Sequence, residues 1–136
     1  MLETSKILLT YLFTVPVFFA IDMLWLGVIA KNIYASQLGD LLTKNVNWVA
    51  ALLFYFCYIF GIIYFAVLPG IEKESLKTVI TNAALFGGLA YATYDLTNLA
   101  TLKNWPTTIV YIDITWGIVL TTSVALASYQ IAQWVR

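Results

Sequence analysis

The sequence predicts an all-α integral membrane protein, a four-helix up-down bundle with short loops, and three observations support this prediction. Of the 136 residues, 62% are hydrophobic and only 10% are charged, whereas soluble domains carry about 25% charged residues. Four apolar stretches each approach the ~20 residues that cross the hydrocarbon layer of a bilayer. Short polar turns separate the later stretches, which favours antiparallel neighbours. Residues 1–136 are therefore predicted to form a single transmembrane domain.

The predicted spans cover residues 7–30, 48–68, 76–102 and 107–134. The first is longer than the ~7–15 apolar residues of a signal peptide, which indicates a membrane helix. The second is expected to end at Leu68, because Pro69 follows and proline disrupts a helix interior. Pro106 suits the first turn of the fourth helix. Residues 31–47 mix polar and apolar side chains, which predicts a short segment at the membrane interface after the first helix.

The charges exclude some partners and suggest an orientation. Seven basic and seven acidic residues cancel, and no basic run indicates nucleic-acid binding. Histidine is absent, and the single cysteine excludes an internal disulfide. The basic residues on one predicted side are Lys6, Lys73, Lys77 and Arg136, and those on the other are Lys31, Lys44 and Lys103. This small excess predicts that both termini are cytoplasmic.

Three aspartates, Asp22, Asp95 and Asp113, lie inside the predicted spans. A charged side chain at the centre of a membrane helix costs roughly 2.5–3.5 kcal/mol on insertion scales, so such residues usually have a function. With alternating helix directions, all three lie about 10 Å below the same membrane face, at a rise of about 1.5 Å per residue. The sequence therefore predicts an acidic centre inside the bilayer.

Aromatic and polar residues surround these acids in the sequence. The predicted pocket consists of Asp22, Trp25, Tyr91, Tyr94, Asp95, Asn98, Asp113 and Trp116. Trp25 and Trp116 each follow an aspartate by one helical turn, so each indole N–H is expected near the carboxylate of its own helix.

Small residues at helical spacing accompany the two later acids. Ala84, Gly88 and Ala92 precede Asp95, and Gly117, Thr121 and Ser128 follow Asp113. Such stripes are typical of close contacts between membrane helices. The contacts are expected within the chain or between the chains of a homodimer.

Three functions fit this pattern. A small transporter would use the carboxylates to bind a proton or a cation, with the aromatic residues contacting an organic cation. A membrane enzyme would use them on a lipid substrate, and Asp22, Asp95 and Asp113 would be the ligands of Mg²⁺ or Mn²⁺ if a metal is bound. An accessory or scaffold protein would use them only to hold helices together. The sequence favours a transporter over an enzyme and identifies no cofactor.

Several motifs resemble a known family. They are Asp22-Met-Leu-Trp25-Leu-Gly27, Phe54-Tyr55 with Tyr58 and Gly61, residues 91–101 (YATYDLTNLAT) and residues 113–117 (DITWG). In these motifs the chain resembles a family of small bacterial inner-membrane proteins catalogued as domain of unknown function 2177. The resemblance implies a four-helix protein of the inner membrane and brings no activity with it.

Overall fold

The structure, a computed structural model, describes residues 2–136. The six α-helices of this part are α1 (Thr4–Leu24), α2 (Lys31–Leu38), α3 (Trp48–Ile62), α4 (Leu68–Glu72), α5 (Leu76–Thr101) and α6 (Thr107–Val135). Two π-helical turns extend this framework: Trp25–Ile29 continues α1, and Ile63–Val67 joins α3 to α4. The all-α prediction is confirmed, whereas a bundle of four helices is not, because there are six.

Three segments are long and apolar enough to cross a membrane, namely Thr4–Ile29, Trp48–Glu72 and Thr107–Val135. Large apolar side chains such as Leu12 and Leu53 are exposed on their outer faces, as expected where the surroundings are lipid. Helix α5 has 26 residues, but Asn82, Asp95 and Asn98 lower its hydropathy. The composition thus supports three of the four predicted spans.

The second span is longer than the sequence predicted. Instead of ending at Leu68, it continues through Pro69 to Glu72. Pro69 lies in the first turn of α4, directly after the π-helical turn, and has no backbone N–H to donate to the preceding turn. The Phe65 carbonyl in that turn instead accepts a hydrogen bond from the side-chain amide of Asn82 at 2.9 Å. Ser75 then caps α5 by accepting a hydrogen bond from the backbone N–H of Thr78 at 3.1 Å.

Helix α6 lies at the centre of the packing and contacts both α1 and α5. The Thr14 hydroxyl donates to Ser128 Oγ across the α1–α6 interface at 2.9 Å, and further along α1 Asp22 accepts from Trp116. Because later residues of α1 meet earlier residues of α6, these two helices are antiparallel. The α5–α6 turn makes that pair antiparallel too. The second span packs on α5 mainly through its π-helical turn and α4.

The contact face of α5 is one residue away from the predicted stripe of Ala84, Gly88 and Ala92. The buried positions are instead Ala83, Gly87 and Asp95. A Cβ atom at Gly87 would lie 2.3 Å from the carbonyl oxygen of Gly117 on α6, whereas one at Gly88 would meet only the Ile118 side chain, at 3.3 Å. Small-residue spacing fits both registers equally, and only packing distinguishes them. The predicted α6 stripe of Gly117, Thr121 and Ser128 is buried, so this stripe serves contacts within the chain.

The segment after the first helix forms α2 and a short 3₁₀ turn, Gly39–Leu41. Helix α2 contacts the π-helical turn of α1 and the start of α6. Asn47 ends the segment and caps α3 by accepting from the N–H of Ala50 at 3.1 Å. The segment therefore covers the end of the helices where the predicted acidic centre lies.

Candidate functional site

A cavity of about 630 Å³ lies beneath α2, between α1, α3, α5 and α6. Its polar and aromatic lining residues include Asp22, Tyr34, Tyr55, Tyr91, Tyr94, Trp105, Asp113 and Trp116. Leu38, Leu42 and Val46 form the wall contributed by the covering segment. Lys31 also lines the cavity, and its exposed side chain places it at the rim. The cavity therefore has an acidic, aromatic interior, and the one basic side chain that lines it, Lys31, lies at its edge.

Asp22 lies on the α1 side of this cavity and is only 4% exposed. The indole N–H of Trp116 donates to its Oδ1 at 3.2 Å. The Tyr55 hydroxyl is a second hydrogen-bond donor beside this carboxylate. A buried carboxylate needs such donors, because leaving a charged group unsatisfied costs more than the net value of one hydrogen bond.

Asp113 lies on the α6 side and receives its hydrogen bond from α2. The Tyr34 hydroxyl donates to Asp113 Oδ1 and accepts from the indole N–H of Trp25 at 3.3 Å. Burial and the neighbouring Asp113 raise the pKa of the Tyr34 hydroxyl, which lies outside the apolar spans. Tyr34 therefore keeps its proton at neutral pH and acts as the donor.

The two tryptophans exchange partners relative to the prediction. Each was expected near the aspartate of its own helix, but Trp116 donates to Asp22 and Trp25 donates to the tyrosine that serves Asp113. Since α1 and α6 run antiparallel, the residue level with each aspartate is the tryptophan of the other helix. The indole rings of Trp25 and Trp116 stack on each other, with centroids 4.4 Å apart and planes at 9°.

Asp95 is fully buried, behind the cavity wall. The indole N–H of Trp105 donates to its Oδ1 at 3.3 Å, while its Oδ2 has no hydrogen-bond partner among residues 2–136. The neighbouring acidic group is Asp113. Two carboxyl groups, one with a free oxygen, thus lie side by side in the interior.

The structure brings most of the predicted pocket residues together in one connected arrangement. Asp95 neighbours Asp113, and Tyr91 lines the cavity together with Asp22 and Asp113. Tyr94 lines the cavity but is 55% exposed. Asn98 does not line the cavity and instead lies beside the Tyr94 hydroxyl.

The geometry gives no support to a metal held by Asp22, Asp95 and Asp113 together. Within residues 2–136, no group of three or more acidic or cysteine side chains is arranged to hold a metal ion. The reason is visible in the packing, because Asp95 pairs with Asp113 while Asp22 faces Trp116 and Tyr55.

Three important residues were not identified from the sequence. Tyr34 belongs to the segment predicted to lie at the interface, Tyr55 is one of several tyrosines in α3, and Trp105 lies in a turn. Each donates, or is placed to donate, a hydrogen bond to one of the aspartates. The available signal was that buried carboxylates require hydrogen-bond donors.

The comparison with known proteins agrees with the motifs described above. No curated protein and no solved structure matches the chain. Residues 7–130 match the family described as predicted membrane protein (DUF2177). The match covers nearly the whole chain, including every helix that lines the cavity. The chain therefore belongs to this family of predicted membrane proteins.

Proposed function

We propose that this protein binds a cation in the acidic cavity and acts as a small cation- or proton-coupled transporter. The observation that supports this proposal is how the three aspartates are satisfied. Asp22, Asp95 and Asp113 receive hydrogen bonds from indole and phenol groups, which stabilise a carboxylate without cancelling its charge. Ionisable groups at membrane depth that lack an ionic partner are typical of ion and proton pathways.

The Asp95–Asp113 pair is the proposed proton-binding element. A proton on the unpartnered Oδ2 of Asp95, directed at the neighbouring Asp113, would supply the missing hydrogen bond. A cation entering the cavity would favour the ionised pair and release this proton. Binding of the cation and the proton would then be mutually exclusive, which is the requirement for coupled exchange.

Helix α5 is proposed to be the fourth membrane span. Its only acidic residue, Asp95, is fully buried against α6 and does not face lipid. Leu85 and Leu89 are 59% and 66% exposed on the opposite face, as a lipid-facing surface requires. The low hydropathy of α5 thus reflects its inward face. The cavity lies within one chain, so the proposed transport does not require a homodimer.

In the proposed orientation, in a bacterial inner membrane, both termini are cytoplasmic and α2 faces the opposite side. A single cysteine introduced by Lys103→Cys, in a Cys57→Ser background, should react with a membrane-impermeant thiol reagent only from outside the cell. Lys73→Cys in the same background is the matched control and should react only after the membrane is opened. Reaction of the two sites in the reverse pattern would contradict this orientation.

Proton coupling can be measured in liposomes that contain the purified protein and a pH-sensitive dye. Gradients of Na⁺, K⁺, Mg²⁺ or tetramethylammonium are imposed in turn, and we expect at least one to drive proton movement. Asp95→Asn should reduce this movement by about tenfold or more, equivalent to at least about 1.4 kcal/mol, because the amide cannot exchange a proton.

Asp40→Asn is the matched control, because Asp40 is an exposed acid outside the cavity, and it should leave the flux unchanged. A wild-type protein that moves no protons under any gradient, or an Asp95→Asn variant with full flux, would contradict the proposed transport. Chemical conversion of the liposome lipids by the wild-type protein would instead favour the membrane enzyme.

A further inference from the structure

A second, apolar cavity lies beside the acidic one. It has a volume of about 290 Å³ and is lined by Phe54, Ala90, Tyr91 and Tyr94. Three of these residues, Phe54, Tyr91 and Tyr94, also line the acidic cavity, so the two spaces are adjacent and share a wall. We call the apolar one the lateral slot.

The slot exists because α3 and α5 separate as they approach the covered end. Helix α5 packs on the second span through the π-helical turn Ile63–Val67 and α4. The aromatic contacts before the gap are made by Tyr58, whose ring stacks on Phe86 with centroids 5.0 Å apart and meets Tyr91 edge-on at 6.1 Å. Beyond Tyr58, Phe54 and Tyr94 border the slot.

The mouth of the slot faces the hydrocarbon layer. Phe54 and Tyr94 are 48% and 55% exposed, and Leu53 and Leu89 on the adjoining surface are exposed as well. Phe54 lies about two helical turns from the start of α3, which corresponds to a depth of about 10 Å at a rise of about 1.5 Å per residue. A molecule within the bilayer could therefore reach the slot without passing through water.

From this geometry we infer that the ligand is an amphiphilic organic cation, with its charged head in the acidic cavity and its alkyl chain in the lateral slot. This inference rests on the proposed cation binding and names the class of ligand. The slot has roughly twice the ~150 Å³ of a cavity that holds benzene, so a chain of several carbon atoms fits. The head would meet Asp22 and Asp113 together with the faces of Tyr91 and Trp116, which attract organic cations.

A dissolved metal ion would leave the slot unused, and a neutral lipid would leave the carboxylates without a counterion. An amphiphilic cation would supply a counterion for the carboxylates and an alkyl chain for the slot. Transfer of the chain from lipid into the slot gains little hydrophobic energy, since lipid tails are equally apolar. The slot therefore provides space for the alkyl chain while the charged head binds in the acidic cavity. Filling the slot with a larger side chain should weaken the binding of long-chain cations only.

The test compares tetramethylammonium with dodecyltrimethylammonium in lipid nanodiscs, using the fluorescence of the cavity-lining Trp105 and Trp116. Ala90→Phe fills the slot without touching the acidic cavity and should weaken dodecyltrimethylammonium binding about tenfold, while tetramethylammonium binding is unchanged. Ala90→Leu, a smaller change, should give an intermediate loss. Ala100→Phe, at an exposed position of α5, is the matched control and should affect neither probe.

The outcomes separate this inference from the proposed function. If Ala90→Phe weakens neither probe, or both equally, the slot does not hold the alkyl chain and the inference is wrong. If dodecanol binds as well as the long-chain cation and is equally sensitive to Ala90→Phe, the requirement for a charged head is wrong. Tetramethylammonium binding that is lost in Asp95→Asn would still support the proposed function in either case. Failure of the wild type to bind either organic cation would contradict the inference, whereas proton movement driven by Na⁺, K⁺ or Mg²⁺ would still support the proposed function.

Discussion

Replacing Gly87 by alanine is expected to destabilise the fold by about 1–3 kcal/mol or more, the usual range for overpacking a core. The new Cβ atom would lie 2.3 Å from the carbonyl oxygen of Gly117 and 2.6 Å from Thr121 Oγ1. Since the first of these is backbone, the contact can be relieved only by moving α5 away from α6. That movement would also separate Asp95 from Asp113. Thermal unfolding in detergent or in nanodiscs measures the effect.

Gly88→Ala is the matched control for this prediction. Its Cβ atom would meet only the Ile118 side chain, with the nearest atom at 3.3 Å, and that side chain can shift by a few tenths of an ångström. Alanine also favours a helix interior over glycine by about 0.8–1.0 kcal/mol, so the variant should be as stable as the wild type or slightly more stable. Equal stability of the two variants would show that the close α5–α6 contact at Gly87 is wrong.

Trp116→Phe is expected to cost about 1.5–3 kcal/mol, the usual value of a hydrogen bond to a charged group. The phenyl ring can still stack on Trp25, but Asp22 loses the N–H that lies 3.2 Å from its Oδ1. Because Asp22 is only 4% exposed, water replaces this donor poorly. The free energy of unfolding should therefore fall, and thermal or denaturant unfolding measures the change.

Two further variants isolate the hydrogen bond from the loss of ring area. Trp134→Phe makes the same substitution at a residue that is 77% exposed and should have little effect. The double variant Asp22→Leu with Trp116→Phe removes both partners and should recover part of the lost stability, as replacing both groups of a buried pair often does. No recovery in the double variant would mean that Trp116 stabilises the fold through packing alone.

The sequence alone determined the class of the protein and the position of its acidic centre. Hydropathy and low charge predict membrane helices because the bilayer penalises every exposed polar group, and this signal is local to each stretch. The depth of Asp22, Asp95 and Asp113 follows from helix rise and alternating direction, which need no knowledge of packing. The helix starts at Trp48 and Thr107 agree with the predicted boundaries, because hydropathy and turn residues are also local signals.

Only the tertiary structure decided which side chains meet. The choice between Gly87 and Gly88 depends on the rotation of α5 against α6, which a stripe of small residues does not determine. The exchange of Trp25 and Trp116 depends on the antiparallel register of α1 and α6, and the use of Tyr34 depends on how α2 folds back over the cavity. These are contacts between residues far apart in the chain, and local periodicity contains no information about them. The lateral slot is of the same kind, since it lies beyond the contacts that Tyr58 of α3 makes with Phe86 and Tyr91 of α5.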